Sequence, residues 1–193
     1  MSDQYNSFPT LEQLEAELKW ETEIGENRRD IRKNVAFLAV FTAVLLFLEI
    51  FVFPLARVSG TSMEPTLYEG ELLMGIADHT PHVGDIVTFR HEGYILVKRV
   101  IALSGDTVNI LEDGTVLVNG QKTEEPFVAE KALGKCDIPL PTVVPDGEVF
   151  VMGDHRAVSV DSRNTRVGTV SCKDVTSRVL LRITPFNKFG LVR

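Results

Sequence analysis

The longest apolar run of the chain lies near its N-terminus, between Val35 and Phe53. Glu49 is the only charged residue in this run, which is otherwise rich in Phe, Leu, Val and Ala. Each helical residue rises 1.5 Å, so about 20 residues cross a hydrocarbon core of roughly 30 Å. Extended from Asn34 to Ala56, the run reaches that length. We expect one transmembrane helix there, because the apolar core of a cleaved signal sequence is shorter and follows a short basic start.

A second helical pattern precedes the apolar run. Leu11, Leu14 and Leu18 recur at a spacing of three and four, which places them on one face of a helix. Thr10 and Gln13 have the spacing of a capping box. We therefore expect a short, acidic helix beginning at Thr10 and ending near Leu18. It is either solvated or paired with a partner helix.

After Arg57 the pattern changes to short apolar runs separated by Gly, Asp and Asn, which indicates strands joined by tight turns. The pair Asp113-Gly114 between two such runs predicts a hairpin, and the Pro-rich passage 139–145 suggests an extended surface loop. The predicted strands are Glu71–Ile76, Ile86–His91, Tyr94–Leu103, Thr107–Leu111, Thr115–Val118, Glu148–Met152 and Val179–Ile183. Residues 57–193 are therefore expected to form one mainly β domain.

The charges that flank the apolar run predict its orientation. The basic residues on its N-terminal side are Arg28, Arg29, Arg32 and Lys33. Arg57 is alone on the other side, and basic residues favour the cytoplasmic side of a membrane. We expect residues 1–33 to be cytoplasmic, residues 34–56 to be the anchor and residues 57–193 to lie outside the cell membrane.

The overall charge excludes some functions. The net charge is −7, with eight acidic against five basic residues in 1–33 and eighteen against fifteen in 57–193. Neither part has a basic stripe, so nucleic-acid binding is not expected. Nor do we expect a cofactor or a metal, because His79 and His82 with Asp78 are too loosely spaced for ligands and suggest a polar loop. The oligomeric state has no signature in the sequence.

The two cysteines of the chain, Cys136 and Cys172, are far apart in sequence. An exported domain permits a disulfide between them. Two reduced thiols fit the sequence equally well.

The segment from Ser59 to Leu67 directly follows the predicted anchor and contains a candidate nucleophile, Ser62. A serine nucleophile needs an exposed hydroxyl, local backbone freedom and amide donors for an oxyanion. Gly60 supplies the freedom, and Pro65 fixes a turn. Taken alone, such a loop is also typical of a plain linker.

A serine hydroxyl needs a base, and the four histidines show no signature spacing for that role. Lys98 is the stronger candidate because strand alternation places it in an apolar row with Leu96 and Val100. Burial would lower the pKa of its amine, which lets an amine act as a base near neutral pH. Arg99 lies in an equally apolar row on the opposite face, so alternation leaves open which cation is buried.

A polar loop from Gly153 to Arg163 follows the predicted strand Glu148–Met152. Asp161 and Arg163 could pair within it, and Ser159 could orient a neutral amine. On residue chemistry alone, a charged turn is an equally good interpretation.

Taken in order, these segments resemble bacterial type I signal peptidases. Ser-Met-Glu-Pro-Thr-Leu at 62–67 is similar to the nucleophile box of that family, and Gly84-Asp85-Ile86-Val87 to its next box. Residues 98–101 with Gly105-Asp106 resemble the lysine box. Residues 153–163 resemble the last box, and the similarity spans about Val35 to Phe186.

The resemblance implies a signal-peptidase/LexA-like β-domain behind one N-terminal transmembrane helix. It implies that Ser62 attacks the peptide carbonyl, that Lys98 accepts its proton and that Ser159 orients the amine, with Asp161 and Arg163 holding the loop. The implied substrates are secretory preproteins with small residues before the cut. Membrane lipid is the other implied partner of the protein. Only eight residues separate Pro54 from Ser62, so the active site is expected within about 26–29 Å of the anchor.

Position 60 departs from the Gram-negative pattern. Gly60 stands where a serine hydroxyl completes the oxyanion hole, so the Ser62 amide needs another donor, for which Ser59 and Thr61 are candidates. Other interpretations are a peptidase dedicated to a few exported proteins, a LexA-like self-cleaving protein and an inert membrane-tethered binding domain. The anchor opposes the second alternative, and the presence of both Ser62 and Lys98 opposes the third.

Overall fold

The computed structural model describes residues 10–78 and 80–192, without the side chains of residues 21, 23–27 and 49–51. His79 and the first nine residues of the predicted cytoplasmic segment lie outside the described residues. Contacts divide the chain into two units, one ending at Phe47 and one starting at Leu48.

One continuous helix, α1, spans Leu11–Phe51. At its start the backbone N–H of Thr10 donates to the side-chain carbonyl of Gln13 at 3.0 Å, which is half of the predicted capping box. The expectation of a short helix ending near Leu18 is wrong, because the helix continues through the polar stretch into the apolar run. By length and composition, its segment Arg28–Leu48 could cross a membrane.

The strand that follows the helix begins inside the predicted anchor. The helix ends at Phe51 and Pro54 precedes strand β1, Leu55–Arg57. A helical membrane segment within 34–56 therefore extends no further than residue 51.

Eight strands form a larger, antiparallel sheet in the order β1-β2-β11-β3-β4-β9-β10, with β12 paired to β11. Besides β1, the strands are β2 Leu72–Ile76, β3 Ile86–His91, β4 Tyr94–Ala102, β9 Glu148–Met152, β10 Val170–Ser171, β11 Val175–Thr184 and β12 Gly190–Leu191. A short 3-10 helix, Phe186–Lys188, separates β11 from β12. Strand β4 lies inside this sheet, so its side chains are covered on both faces near its C-terminal end.

A smaller sheet of four strands has the order β7-β6-β5-β8. Its strands are β5 Thr107–Ile110, β6 Val116–Val118, β7 Gln121–Lys122 and β8 Thr142–Val143. The hairpin predicted around Asp113-Gly114 is confirmed, with Ile110 opposite Val116. The passage 139–145 is not simply a surface loop, since it contributes β8 and the buried residue Val144.

A shared hydrophobic core joins the two sheets. It contains Ile101, Ala102, Phe150 and Met152 from β4 and β9, together with residues of β5 and β6. Burial of such side chains stabilises each by about 1.5–3 kcal/mol. The mainly β fold predicted from the alternating pattern is confirmed, and the shared core packs β4 and β9 against the smaller sheet.

Candidate active site

Ser62 lies in a turn between β1 and β2. Gly60 has a φ of +80°, a left-handed conformation that favours glycine. The turn is closed by a hydrogen bond of 3.2 Å from the backbone N–H of Glu64 to the carbonyl of Thr61. Met63 and Leu67 are fully buried and hold the turn against the β-rich unit. The side chain of Ser62 is thereby fixed by its neighbours at a half-buried position.

Lys98 lies on β4, opposite Val87 of β3, and is 3% exposed. Its Nζ lies 2.7 Å from the Oγ of Ser62, a hydrogen bond between residues 36 positions apart. Burial lowers the pKa of the Lys98 amine, while the carboxylates of Asp161 and Asp154 oppose this effect and Arg163 adds to it. A lysine with a lowered pKa can be neutral near physiological pH and take a proton from the serine hydroxyl.

Arg99 is buried as well, on the opposite face of β4, and is only 2% exposed. Its Nε and Nη2 donate to the two carboxylate oxygens of Asp154 at 2.9 and 2.7 Å, and its Nη1 donates to the carbonyl of Gly84 at 2.9 Å. The hydroxyl of Thr66, from the Ser62 turn, donates to the same carboxylate. The sequence left open whether Lys98 or Arg99 is buried. Both are buried, Lys98 beside Ser62 and Arg99 in an ion pair with Asp154.

A second buried ion pair fixes the loop after β9. Arg163 donates through Nε and Nη2 to the carboxylate of Asp161, at 2.9 Å each, and both side chains are inaccessible to solvent. The same carboxylate accepts a hydrogen bond of 2.9 Å from the N–H of Gly153. The two ends of the loop are thus tied to each other, and the loop-holding role of Asp161 and Arg163 stays a prediction.

Ser159 lies in the loop after β9. Its Oγ is buried and has no hydrogen-bond partner among the described residues, so it does not hydrogen-bond to the Lys98 amine here. It lies against Gly153, where an added Cβ would approach the Ser159 Oγ and the Ser62 carbonyl to 2.3 and 2.4 Å. Ser159 is therefore close to the Ser62 backbone rather than bonded to Lys98, and its orienting role stays a prediction.

Two further residues of this loop, His155 and Arg156, make contacts that were not anticipated from the sequence. The backbone N–H of His155 donates to the Ser62 carbonyl at 3.1 Å, and its ring Nδ1 lies 3.2 Å from the Thr61 carbonyl. Arg156 is fully buried, forms a bidentate ion pair with Glu125 and donates to the Gly153 carbonyl at 3.1 Å. His155 thereby holds the Ser62 turn, and Arg156 ties the loop to the segment after β7. Since Glu125 and Arg156 are 31 residues apart, periodicity could not pair them.

Cys136 and Cys172 are both free thiols in this structure, so no disulfide joins them. Burial raises the pKa of the Cys172 thiol. Neither belongs to the group of residues around Ser62.

Comparison with known proteins places the chain among peptidases. Residues 31–184 match the family model described as signal peptidase, peptidase S26. The chain is 36% identical to a signal peptidase I of Bacillus licheniformis over 84% of its length and 96% of that relative's. It is 35% identical to a probable signal peptidase I-1 of a Synechocystis strain, over 83% of this chain and 86% of that one.

A solved structure, the crystal structure of a signal peptidase I from Enterococcus faecalis, aligns with 51% of this chain and 96% of that chain. The sequence identity is 29% and the TM-score 0.42. The assignment rests on the family model and on the sequence relatives.

The protein is thus a serine peptidase, a hydrolase of peptide bonds. Within that class the chain belongs to the signal peptidase family, peptidase S26, and its function is the removal of signal peptides. The family is anchored in membranes, and the apolar segment of α1 fits such an anchor.

Proposed function

We propose that Ser62 is the nucleophile and Lys98 the general base of this peptidase. The observation that carries the proposal is the 2.7 Å contact between Lys98 Nζ and Ser62 Oγ, together with the burial of the amine. A neutral Lys98 takes the proton of Ser62 as the hydroxyl attacks the peptide carbonyl. The protonated Lys98 amine then gives a proton to the leaving amine of the substrate. Water finally hydrolyses the acyl-enzyme.

The oxyanion that forms during attack needs hydrogen-bond donors close to Ser62. The backbone N–H of Ser62 has no acceptor among the described residues, so it is available for that role. A second donor comes from Ser59 or Thr61 in our proposal, and Gly60 keeps the approach to the carbonyl open. Asp161 and Arg163 act indirectly, by holding the loop against Lys98.

The substrate binds as an extended strand along the edge of the larger sheet. Strand β1 is an edge strand paired only with β2, so its free backbone groups can bond to a peptide. A cleft of about 500 Å³ lies beside it and is lined by larger residues such as Arg90, Ile95 and Lys173 as well as by Ala56 and Ala77. The cut after small residues of secretory preproteins is the preference that the ordered sequence motifs imply.

Membrane lipid contacts the β-rich unit through an apolar row in our proposal. Leu55, Met74, Leu181 and Leu191 lie opposite one another across β1, β2, β11 and β12, and so share one face of the sheet. Leu55 and Leu191 are 42% and 70% exposed. Apolar side chains grouped on one exposed surface are typical of a site that contacts a partner or a lipid surface.

The topology proposed here keeps residues 1–33 in the cytoplasm and residues 57–193 outside. Its support is the group of basic residues before the apolar segment of α1. Proteolysis from outside intact spheroplasts should then digest the β-rich unit, and protection of that unit would contradict the orientation.

Incubation of the full chain in lipid vesicles with a model preprotein tests the proposed function. The wild type should release the signal peptide, with a single cut after a small residue mapped by mass spectrometry. Ser62→Ala and Lys98→Ala should lower the rate by several orders of magnitude, because each removes one half of the proton transfer. Ser171→Ala and Lys122→Ala are the matched controls, and retained cleavage by either dyad variant would contradict the assignment.

A further inference from the structure

The ring of His155 contacts the backbone of the turn that holds Ser62. Its Nδ1 lies 3.2 Å from the carbonyl oxygen of Thr61, a residue 94 positions away in sequence. A carbonyl oxygen only accepts hydrogen bonds, so Nδ1 must carry the hydrogen of this one. The neutral ring then has its hydrogen on Nδ1, and the protonated ring donates from the same nitrogen. The ring is therefore a donor to Thr61 in both charge states.

The Thr61 carbonyl and the Ser62 N–H belong to one peptide group. This group is trans and planar, so its carbonyl and its N–H point in opposite directions. A donor that holds the carbonyl on one side therefore fixes the direction of the N–H on the other side. The Ser62 N–H is the oxyanion donor of the proposed mechanism, so the His155 ring acts on the direction of that donor.

Two backbone hydrogen bonds hold the same part of the turn. The Glu64 N–H donates to the Thr61 carbonyl at 3.2 Å, and the backbone N–H of His155 donates to the Ser62 carbonyl at 3.1 Å. His155 therefore binds the carbonyls of both peptide groups that flank the Ser62 Cα, one through its ring and one through its backbone. Glu64 belongs to the turn itself, whereas the His155 ring ties the Thr61 carbonyl to the loop after β9.

We propose that His155 is a positioning residue, whose ring Nδ1–H directs the Ser62 N–H toward the oxyanion. This inference rests on the proposed function of Ser62. The oxyanion forms only during the reaction, so a misdirected donor should lower kcat and leave KM unchanged. The backbone N–H of His155 remains when its side chain is replaced, so such a replacement tests the ring contact.

His155→Leu and His155→Asn separate the donor from the bulk of the side chain. Leu has no donor, whereas the side-chain amide of Asn can donate from nearly the position of Nδ1. With the full chain in vesicles and a model preprotein, His155→Leu should lower kcat about tenfold, less than the loss of about a hundredfold or more when an oxyanion donor is removed altogether. His155→Asn should restore most of the wild-type kcat. His82→Leu, at a histidine with a 74% exposed side chain, is the matched control and should keep the wild-type kcat.

A wild-type kcat in His155→Leu overturns the positioning role, as does a kcat of His155→Asn no higher than that of His155→Leu. A loss that appears in KM and not in kcat overturns it as well. Cleavage retained by Ser62→Ala would instead overturn the proposed function on which the inference rests.

The position of the ring hydrogen gives a measurement that does not depend on the folding of His155→Leu. ¹⁵N NMR of the full chain with labelled histidine, in detergent micelles, reports which ring nitrogen carries hydrogen, and His155→Asn identifies the signal. The neutral ring of His155 should carry its hydrogen on Nδ1. A neutral ring with hydrogen on Nε2 alone overturns the proposal, because Nδ1 could then not donate to Thr61.

Discussion

In the proposed mechanism, Lys98 serves catalysis at a cost in stability. The ordinary pKa of a lysine amine is 10.5, and burial lowers the value in the folded protein. Below the lowered pKa, the amine is charged in both states and folding must bury that charge, which destabilises the native state. Between the lowered pKa and 10.5 the unfolded chain binds more protons, so this penalty disappears as pH rises.

We therefore expect Lys98→Met to be inactive and yet more stable than the wild type at neutral pH. The thioether fits an apolar site and carries no charge to desolvate. The free energy of unfolding, measured by urea denaturation in a fixed detergent, should exceed that of the wild type by an amount that shrinks as pH approaches 10.5. A difference that does not change with pH would contradict a lowered Lys98 pKa.

The Arg99–Asp154 pair has the opposite role, since it stabilises the site without meeting the substrate in the proposed mechanism. Asp154→Asn should destabilise the protein by about 3–5 kcal/mol, because it leaves a buried guanidinium without its counter-charge. The exposed pair of Glu92 and Arg166 provides the control, with no more than about 1 kcal/mol expected for Glu92→Gln. Equal effects of the two substitutions in urea denaturation would contradict this account.

Among the structural elements, the loop after β9 packs against the Ser62 turn and holds it in place. Gly153 lies where this loop packs against the Ser62 turn, and a Cβ added at Gly153 would approach the Ser62 carbonyl to 2.4 Å. Gly153→Ala should therefore displace the Ser62 backbone and lower kcat of preprotein cleavage at least tenfold. Gly190→Ala is the control, because an added Cβ there meets no atom within 4 Å. Full activity of Gly153→Ala would show that the contact is not needed.

The elements differ in how well the sequence predicted them. Strands β3 and β9 begin and end at the predicted residues, because their apolar runs are bounded by clear turn signals. Two-residue strands such as β8 and β10 were missed, since two residues carry no period. The Ser62–Lys98 pair was predicted through the ordered motifs. The contacts of Arg99 with Asp154 depend on packing between elements 55 residues apart, which no local pattern encodes.

At the scale of the whole molecule, helix α1 differs most from what the sequence predicted. The sequence predicted a short helix and a separate anchor, whereas α1 is continuous over Leu11–Phe51. The polar stretch between the two apolar patterns contains good helix formers and no proline, so nothing there ends the helix. The predicted β-rich unit and the apolar anchor segment were nevertheless visible from composition, because each is a long, uniform pattern.

The proposed contact between lipid and the apolar row of the β-rich unit also predicts an effect on cleavage at a membrane surface. Leu191→Asp places a charge on a 70% exposed position of the row and should weaken cleavage of preproteins in vesicles. Cleavage of a short soluble peptide should be unaffected, since no lipid surface takes part. Leu111→Asp, on an exposed leucine beside the smaller sheet, is the control. An equal loss for both substrates would place the effect of Leu191 in the fold and not in lipid contact.

The pH dependence of kcat/KM for preprotein cleavage tests the central claim most directly. A neutral Lys98 must accept the Ser62 proton, so the rate should rise with pH through a single ionisation below the ordinary lysine pKa of 10.5. Lys98→Ala and Ser62→Ala should be inactive across the same range. An activity that follows the ordinary lysine pKa, or that persists in either variant, would contradict the proposed dyad.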